Sequence, residues 1–184
     1  MYIALLRGIN VGGHNKIKMA ELRQALLDIG FTNVKTYIQS GNILFHAQAD
    51  KDTICKQIEE VLLQRWGLNI KVMIRTADEI RAIIATCPFT LEQITAAEAS
   101  AGGEALYVSM IMNQPNPAKL TKLEQASSEQ EQYVLVRDEV YMLLADGMRN
   151  SKLAVAVDKL GVPVTTRNWK TMTKLCALLD ENIE

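Results

Sequence analysis

Glycine, asparagine and basic residues share one short segment near the N-terminus and form the first group that could bind a ligand: Arg7, Gly8, Asn10, Gly12, Gly13, Lys16 and Lys18. No acidic residue occurs in the first 20 positions. The glycine spacing is not GxGxxG, and it is not that of a P-loop because no Gly-Lys-Ser or Gly-Lys-Thr follows. Two interpretations stay open: a tight structural turn, or a loop whose backbone amides and basic side chains hold an anion.

The tripeptide Ser40-Gly41-Asn42 is the second candidate group. These residue types are typical of hairpin turns, in which glycine and asparagine tolerate positive φ angles. Turn formation alone therefore explains the tripeptide. We include it among the candidate binding residues because the end of the first strand and this turn would lie at the same edge of the predicted sheet.

Two basic segments near the C-terminus contain the third group of candidate binding residues: Arg149, Ser151, Lys152, Arg167, Asn168 and Trp169. Each segment is predicted to open a helix, where free backbone N–H groups favour an anion. The guanidinium groups of Arg149 and Arg167 suit a carboxylate or a phosphate. Ser151 and Asn168 are also typical helix caps, and Trp169 is also a typical core anchor.

Catalytic chemistry has little support in the sequence. The histidines, His14 and His46, build neither a Ser-His-Asp set nor a metal cluster. Cys55, Cys87 and Cys176 are odd in number and lack CxxC spacing, so they predict neither a disulfide framework nor a zinc site. We therefore assign no catalytic residue, metal or cofactor, and the sequence does not decide whether the protein is an enzyme.

Hydrophobic periodicity, helix caps and turn residues predict the elements that would position these groups. In the first half they predict strands at 2–9, 34–38, 43–46 and 70–74, and helices at 18–29 and 50–65. A capping box at 76–79 predicts the start of a third helix. In the second half they predict strands at 106–112, 132–136, 140–144 and 162–166, and helices at 116–124, 151–160 and 168–180. Both halves follow the order strand, helix, hairpin, helix, strand, helix.

The repeated order indicates a duplication and a fold class. Short sequence echoes support it, since Tyr37-Ile38 resembles Tyr133-Val134 at the same place in each half. The order is the split-βαβ, ferredoxin-like pattern. We therefore predict an α+β protein of two tandem ferredoxin-like (alpha-beta plait, βαββαβ) subdomains with antiparallel sheets. The first would span 1–90 with a trailing helix and the second 105–184 with a C-terminal helix, joined by a connector at 91–104.

This topology predicts where the candidate groups meet. With strand order 4-1-3-2, the end of the first strand lies beside the start of the third. The glycine segment and the Ser-Gly-Asn turn then share one edge of the first copy, and the two basic helix starts share one edge of the second. We predict that these edges form a cleft between the subdomains for a small anionic ligand, either a nucleotide or a phosphorylated metabolite.

Five spaced motifs carry a resemblance to a known family: RGINVGG at 7–13, YIQSGNILF at 37–45, VMIRTADEI at 72–80, DGMRNSKLA at 146–154 and TTRNWKTMTKL at 165–175. The chain resembles the uncharacterised bacterial domain-of-unknown-function family numbered 1697 over essentially its whole length. The resemblance implies two ferredoxin-like subdomains and no particular activity. Cys87-Pro88-Phe89 differs from the Asn-Pro-Phe of the family, which weighs against a nucleophilic role for Cys87.

Composition limits the classes of partner and location. A net charge of −1 creates no global field for nucleic acid, and no stretch approaches the ~20 apolar residues of a membrane helix. The N-terminus lacks the features of a secretory signal, so we predict a cytoplasmic protein. Binding of RNA or single-stranded nucleic acid is one alternative, although the aromatic RNP pattern is missing. A protein-interaction module without a small ligand is the other, and the sequence leaves the oligomeric state open.

Overall fold

Two four-stranded antiparallel sheets with flanking helices make up the computed structural model, which describes residues 1–181. The chain divides into two compact units. The first unit comprises Met1–Arg81 and the C-terminal segment from Leu175, and the second comprises Ala82–Lys174. Two antiparallel sheets, each with its helices, confirm the predicted fold class. Both divisions between the units fall within helices, at 77–85 and 169–180.

The first unit follows the predicted βαββαβ order. Its elements are β1 (Tyr2–Leu6), α1 (Met19–Asp28), β2 (Thr32–Tyr37), β3 (Asn42–His46), α2 (Lys51–Trp66), β4 (Val72–Thr76) and the start of α3 (Ala77–Ala85). The sheet has the order β2-β3-β1-β4, which is the predicted 4-1-3-2 arrangement. Side chains on one face of the sheet, including Leu6, Ile43 and Phe45, pack with Leu22 of α1 and Ile58 of α2 in the core.

The second unit repeats this arrangement after an additional helix. Its elements are α4 (Leu91–Ala101), β5 (Leu106–Ile111), α5 (Pro117–Ala126), β6 (Glu131–Val136), β7 (Glu139–Leu144), α6 (Lys152–Asp158), β8 (Val164–Asn168) and most of α7 (Trp169–Asp180). The sheet has the order β6-β7-β5-β8. Val140, Met142 and Leu144 of β7 pack with Leu123 of α5 and Leu153 of α6 in a second core.

Equivalent hydrogen bonds relate the two copies. The Leu6 N–H donates to the Gly41 carbonyl at 2.8 Å, and the Ile111 N–H donates to the Asp138 carbonyl at 2.9 Å. In each copy this bond joins the end of the first strand to the hairpin turn. The next residue is Arg7 in the first copy and Met112 in the second. In each copy its N–H donates to the carbonyl of the residue just before the fourth strand, and both bonds measure 3.2 Å. The duplication therefore extends to the backbone bonding at the edge where the loops lie.

Two strands lie about two residues later than their predicted positions of 70–74 and 162–166. The ladder to the first strand continues as far as the pair Tyr2 and Thr76 in one copy, and Tyr107 and Asn168 in the other. Helices α3 and α7 then begin at the next residue. Arg167 consequently lies inside strand β8, whereas the sequence placed it at a helix start.

The segment predicted as a connector at 91–104 contains helix α4. Thr90 and Gln93 form a capping box at its start, and Gly102, with φ of +66°, ends it. The helix contacts β5 and β7 and buries Ile94 and Ala97. Alanine-rich composition gave the segment little apolar periodicity, although alanine itself favours the helix.

Candidate ligand-binding site

The first copy carries extra residues at one edge of its sheet. The connection between β1 and α1 runs from residue 7 to residue 18, whereas the equivalent connection in the second copy runs only from 112 to 116. The hairpin turn of the first copy spans 38–41, and that of the second spans 137–138. Both extensions lie at the end of the first strand, because the Leu6 N–H binds the turn carbonyl of Gly41.

Asn10 holds the long loop in shape. Its amide nitrogen donates to the carbonyls of Ile17 at 3.0 Å and Gln39 at 2.9 Å, and its oxygen accepts the Ile17 N–H at 2.9 Å. The bond to Gln39 ties the loop to the hairpin turn. The Asn15 side-chain amide forms a second hydrogen bond within the loop by donating to the Gly8 carbonyl at 3.0 Å. The structure therefore brings the glycine segment and the Ser-Gly-Asn turn together, as the topology predicted.

The Ser-Gly-Asn turn is used to build the edge. Gly41 has φ of +75°, and a Cβ at this position would lie 2.7 Å from the Leu6 Cβ and 2.9 Å from the Ile9 Cδ1. The buried Asn42 donates from its amide nitrogen to the Tyr37 carbonyl at 3.1 Å and to the Ser40 hydroxyl at 2.9 Å. These contacts explain the tripeptide structurally.

A cavity of about 890 Å³ opens beside the loop, within the first unit. Its lining combines loop, helix and hairpin residues: Asn10, Gly13, Lys16, Ile17, Lys18, Met19, Ala20, Glu21, Thr36, Ile38, Gln39 and Trp66. The volume suits a small organic ligand. Four of the candidate binding residues, Asn10, Gly13, Lys16 and Lys18, line it. Arg7, Gly8 and Gly12 are exposed in the same loop outside the lining.

The lining of the cavity includes a polar and basic segment. Helix α1 begins there, and its N-cap residue, Lys18, provides no side-chain cap. Each of the other six helices within residues 1–181 receives a side-chain cap at its N-terminus. Lys18 forms an ion pair with Glu21 at 3.0 Å. Lys16 is exposed and has no ion-pair partner in the described part of the chain.

The lining also includes apolar residues that the sequence did not mark. Trp66, the last residue of α2, is half-buried against the core and also lines the cavity. Ile38 is 50% exposed and has φ of +50°. A β-branched residue in this region is a strained outlier, and such outliers concentrate at functional sites. No sequence signal distinguishes Trp66 from an ordinary core residue. None indicates the positive φ of Ile38 either.

In the second copy, Glu131 occupies the N-terminus of α6. Its carboxylate accepts the Leu153 N–H at 2.8 Å, the Lys152 N–H at 3.3 Å and the Ser151 hydroxyl at 2.8 Å. Ser151 also caps the helix by accepting the Ala154 N–H at 2.9 Å. The protein thus supplies its own anion at this predicted site, and an external anion would have to displace Glu131. Arg149 is exposed before the helix.

The remaining predicted residues of the second copy, Arg167, Asn168 and Trp169, are buried, half-buried or used as a helix cap. Arg167 is buried, its Nη1 donates to the Thr166 carbonyl at 2.8 Å, and burial lowers the pKa of its guanidinium to about 10. The Asn168 side chain caps α7 by accepting the Thr171 N–H at 2.9 Å. Trp169 is half-buried as the first residue of α7.

Other chemistry gains no support from the described residues. Burial raises the pKa of all three cysteine thiols, to about 11 for Cys55, which opposes a nucleophilic role. Residues 1–181 contain no group of three or more His, Cys, Asp or Glu side chains that could hold a metal. Within that range no helix has the length and apolarity needed to cross a bilayer.

The sheets also lack an exposed platform for nucleic-acid bases. Ferredoxin-like RNA-binding domains stack bases on aromatic side chains of the sheet face. On the face away from the helical core, Leu5 and Met73 of the first sheet and Val108, Met110 and Tyr141 of the second are buried. These described positions therefore present no exposed aromatic row.

Comparisons with known proteins agree with this fold. A family model described as "Protein of unknown function (DUF1697)" matches residues 1–141. The solved structure of a conserved bacterial protein, SP0830, from Streptococcus pneumoniae is 26% identical, and the match covers 97% of both chains with a TM-score of 0.70. No curated protein matches the sequence. Neither the family description nor the neighbouring structure's description states an activity.

Proposed function

The chain belongs to the DUF1697 family of proteins of unknown function, and we propose that it binds a small anionic ligand in the cavity of its first unit. The ligand class is a nucleotide or a phosphorylated metabolite. One observation carries the proposal: a cavity of about 890 Å³ is lined both by a basic helix start and by an indole and aliphatic side chains. Ligand sites are typically concave and largely apolar, with a few polar groups that orient the ligand.

The anionic part of the ligand would lie against the start of α1. The first-turn N–H groups have no side-chain cap, so an anion can accept from them and interact favourably with the helix dipole. Because Lys18 and Glu21 neutralise each other, the positive charge at this position comes from Lys16. Gly13, which lines the same cavity, can add its backbone N–H as a further donor.

The apolar part of the ligand would lie against Trp66, Met19 and Ile38. An inorganic phosphate alone would leave this wall and most of the volume to water. A base or another planar group would cover the indole and contribute stacking energy that phosphate cannot supply. This apolar wall favours a phosphorylated organic molecule over a free inorganic ion.

The test is a binding screen with pyrophosphate, the common nucleotides and sugar phosphates. A ligand at 100 times its Kd stabilises the native state by about 2.7 kcal/mol, which a thermal-shift assay detects readily. The Trp169→Phe variant leaves Trp66 as the single tryptophan. Its fluorescence emission should change on binding, because Trp66 lines the cavity.

Lys16→Ala is the decisive variant, with Lys122→Ala as its control because Lys122 is an exposed lysine of α5. Losing a hydrogen bond to a charged group costs about 1.5–3 kcal/mol, so Lys16→Ala should weaken binding at least tenfold. Lys122→Ala should bind like the wild type. The proposal fails if no compound shifts the midpoint or the Trp66 emission, or if Lys16→Ala binds as tightly as the control.

A further inference from the structure

A second cavity adjoins the first one, within the first unit. Its volume is about 460 Å³, and Ala20 of α1 and Thr36 of β2 line both cavities. Ala20 is exposed and Thr36 is half-buried, and both side chains are small. A ligand in the first cavity can therefore extend into the second across these two residues.

Arg23 of α1 lines the second cavity and brings a positive charge to it. Its polar neighbours on α1 have partners, and Glu21 pairs with Lys18 at 3.0 Å. Gln24 likewise donates to Asp28 at 2.9 Å. The exposed side chain of Arg23 forms no hydrogen bond or ion pair within the described part of the chain. Its guanidinium is therefore available to an external anion.

The donors of the second cavity suit an anion. Lys35 and Tyr37 of β2 line it together with Arg23, so an ammonium and a phenol hydroxyl accompany the guanidinium. No carboxylate occurs among the described residues that line it. Arginine binds phosphate and carboxylate groups bidentately, and a tyrosine hydroxyl can donate a further hydrogen bond. The cavity therefore favours an oxyanion over a cation or a neutral group.

The two positions for an anion are separated along α1. The start of the helix lines the first cavity, whereas Arg23 lines only the second. Arg23 follows Lys18, the N-cap residue, by five residues, which is about 7.5 Å along the helix axis. The phosphates of a diphosphate share a bridging oxygen and lie closer together than that. A ligand that reaches both positions therefore needs two anionic groups on different atoms of its organic part.

We propose that the second cavity is a subsite for a second phosphate, so that the ligand is a bisphosphate whose two phosphates stand on different carbon atoms. The inference rests on the proposed function, because the first phosphate would bind at the start of α1. Arg23 and Tyr37 would bind the second phosphate, and the organic part would cross Ala20 and Thr36. The ligand class narrows from any phosphorylated metabolite to sugar bisphosphates and nucleoside bisphosphates.

Two matched pairs of compounds test the subsite, with dissociation constants measured by isothermal titration calorimetry. Adenosine 3′,5′-bisphosphate and ADP are isomers, and only the first has its phosphates on different carbon atoms. Fructose 1,6-bisphosphate and fructose 6-phosphate differ only in the second phosphate. All measurements use the same ionic strength, because salt screens exposed charges. In at least one pair the separated bisphosphate should bind at least about tenfold more tightly, because it gains a hydrogen-bonded charge.

Arg23→Ala removes the charge of the subsite and leaves the core intact, because Arg23 is exposed. It should weaken binding of the separated bisphosphate at least about tenfold and change binding of the other compound of that pair less than about twofold. Gln24→Ala is the matched control, because Gln24 is the next exposed residue of α1 and lines neither cavity. It should bind both compounds like the wild type.

The results distinguish a failure of the subsite from a failure of the proposed function. If Lys16→Ala weakens both compounds of a pair, but Arg23→Ala weakens neither or weakens both equally, the second subsite is wrong and the first cavity keeps its role. The subsite is also wrong if neither pair favours the separated bisphosphate. If no compound binds at all, the proposed function fails and the subsite fails with it.

Discussion

Replacing Gly41 by alanine tests the close approach that joins the hairpin turn to the first strand. The added Cβ would lie 2.7 Å from the Leu6 Cβ and 2.9 Å from the Ile9 Cδ1. Real Cβ atoms do not approach other heavy atoms so closely, so the turn or the strand must move. Leu6 and Ile9 are both fully packed in the core, which leaves little room for adjustment.

The expected loss has two components. Holding alanine at φ of +75° costs roughly 1–2 kcal/mol. Forcing a methyl group into a packed core costs about 1–3 kcal/mol more. Gly41→Ala should therefore lower the free energy of unfolding by about 2–5 kcal/mol, a large part of the stability of an ordinary domain.

Gly67→Ala is the matched control, measured by urea denaturation under the same conditions. Gly67 ends α2 with φ of +67°, and a Cβ there would meet nothing within 4 Å. It should lose only the backbone component, about 1–2 kcal/mol. If the two variants lose the same stability within about 0.5 kcal/mol, the close approach at Gly41 does not constrain the turn and the reasoning is wrong.

Two further predictions concern single polar contacts. The buried Tyr141 hydroxyl donates to the Ile83 carbonyl at 2.8 Å, so Tyr141→Phe should cost about 1–2 kcal/mol in urea denaturation, and a neutral result would contradict the bond. Burial acts to raise the pKa of Glu79, but hydrogen bonds from the Lys51 ammonium and the Thr76 amide outweigh it and hold that pKa below its ordinary value. Because the folded pKa is depressed, the contribution is present above the unfolded pKa and is lost as the pH falls through the folded value. The stability advantage of the wild type over Glu79→Gln should therefore be present at about pH 7 and vanish near pH 3, and a constant difference would refute the assignment.

The order of elements could be predicted because each depends on local signals. Asp50, Asn116 and the Thr76–Glu79 capping box start helices where the sequence placed them. The positions of β4 and β8 could not be predicted, because pairing with the first strand extends them past their apolar residues. Helix α4 escaped prediction for a similar reason, since its stability depends on packing against β5 and β7.

The candidate site was predictable only in part. Adjacency of the glycine segment and the hairpin turn followed from topology, and the Asn10–Gln39 bond shows it directly. The cavity also needs Trp66, which comes from the far end of a later helix. The carboxylate of Glu131 occupies the N-terminus of α6. Because Glu131 lies 20 residues before Ser151, no local sequence pattern predicts that the two are in contact.

The short loops of the second copy show that this fold needs neither extension of the first. The five residues 112–116 and the two-residue turn at 137–138 connect the same strands with the same edge bonds. Evolution could therefore lengthen, shorten or diversify the first copy's loops while the packed sheet stayed as it was. Members of such a lineage could vary this edge without having to reinvent a stable scaffold.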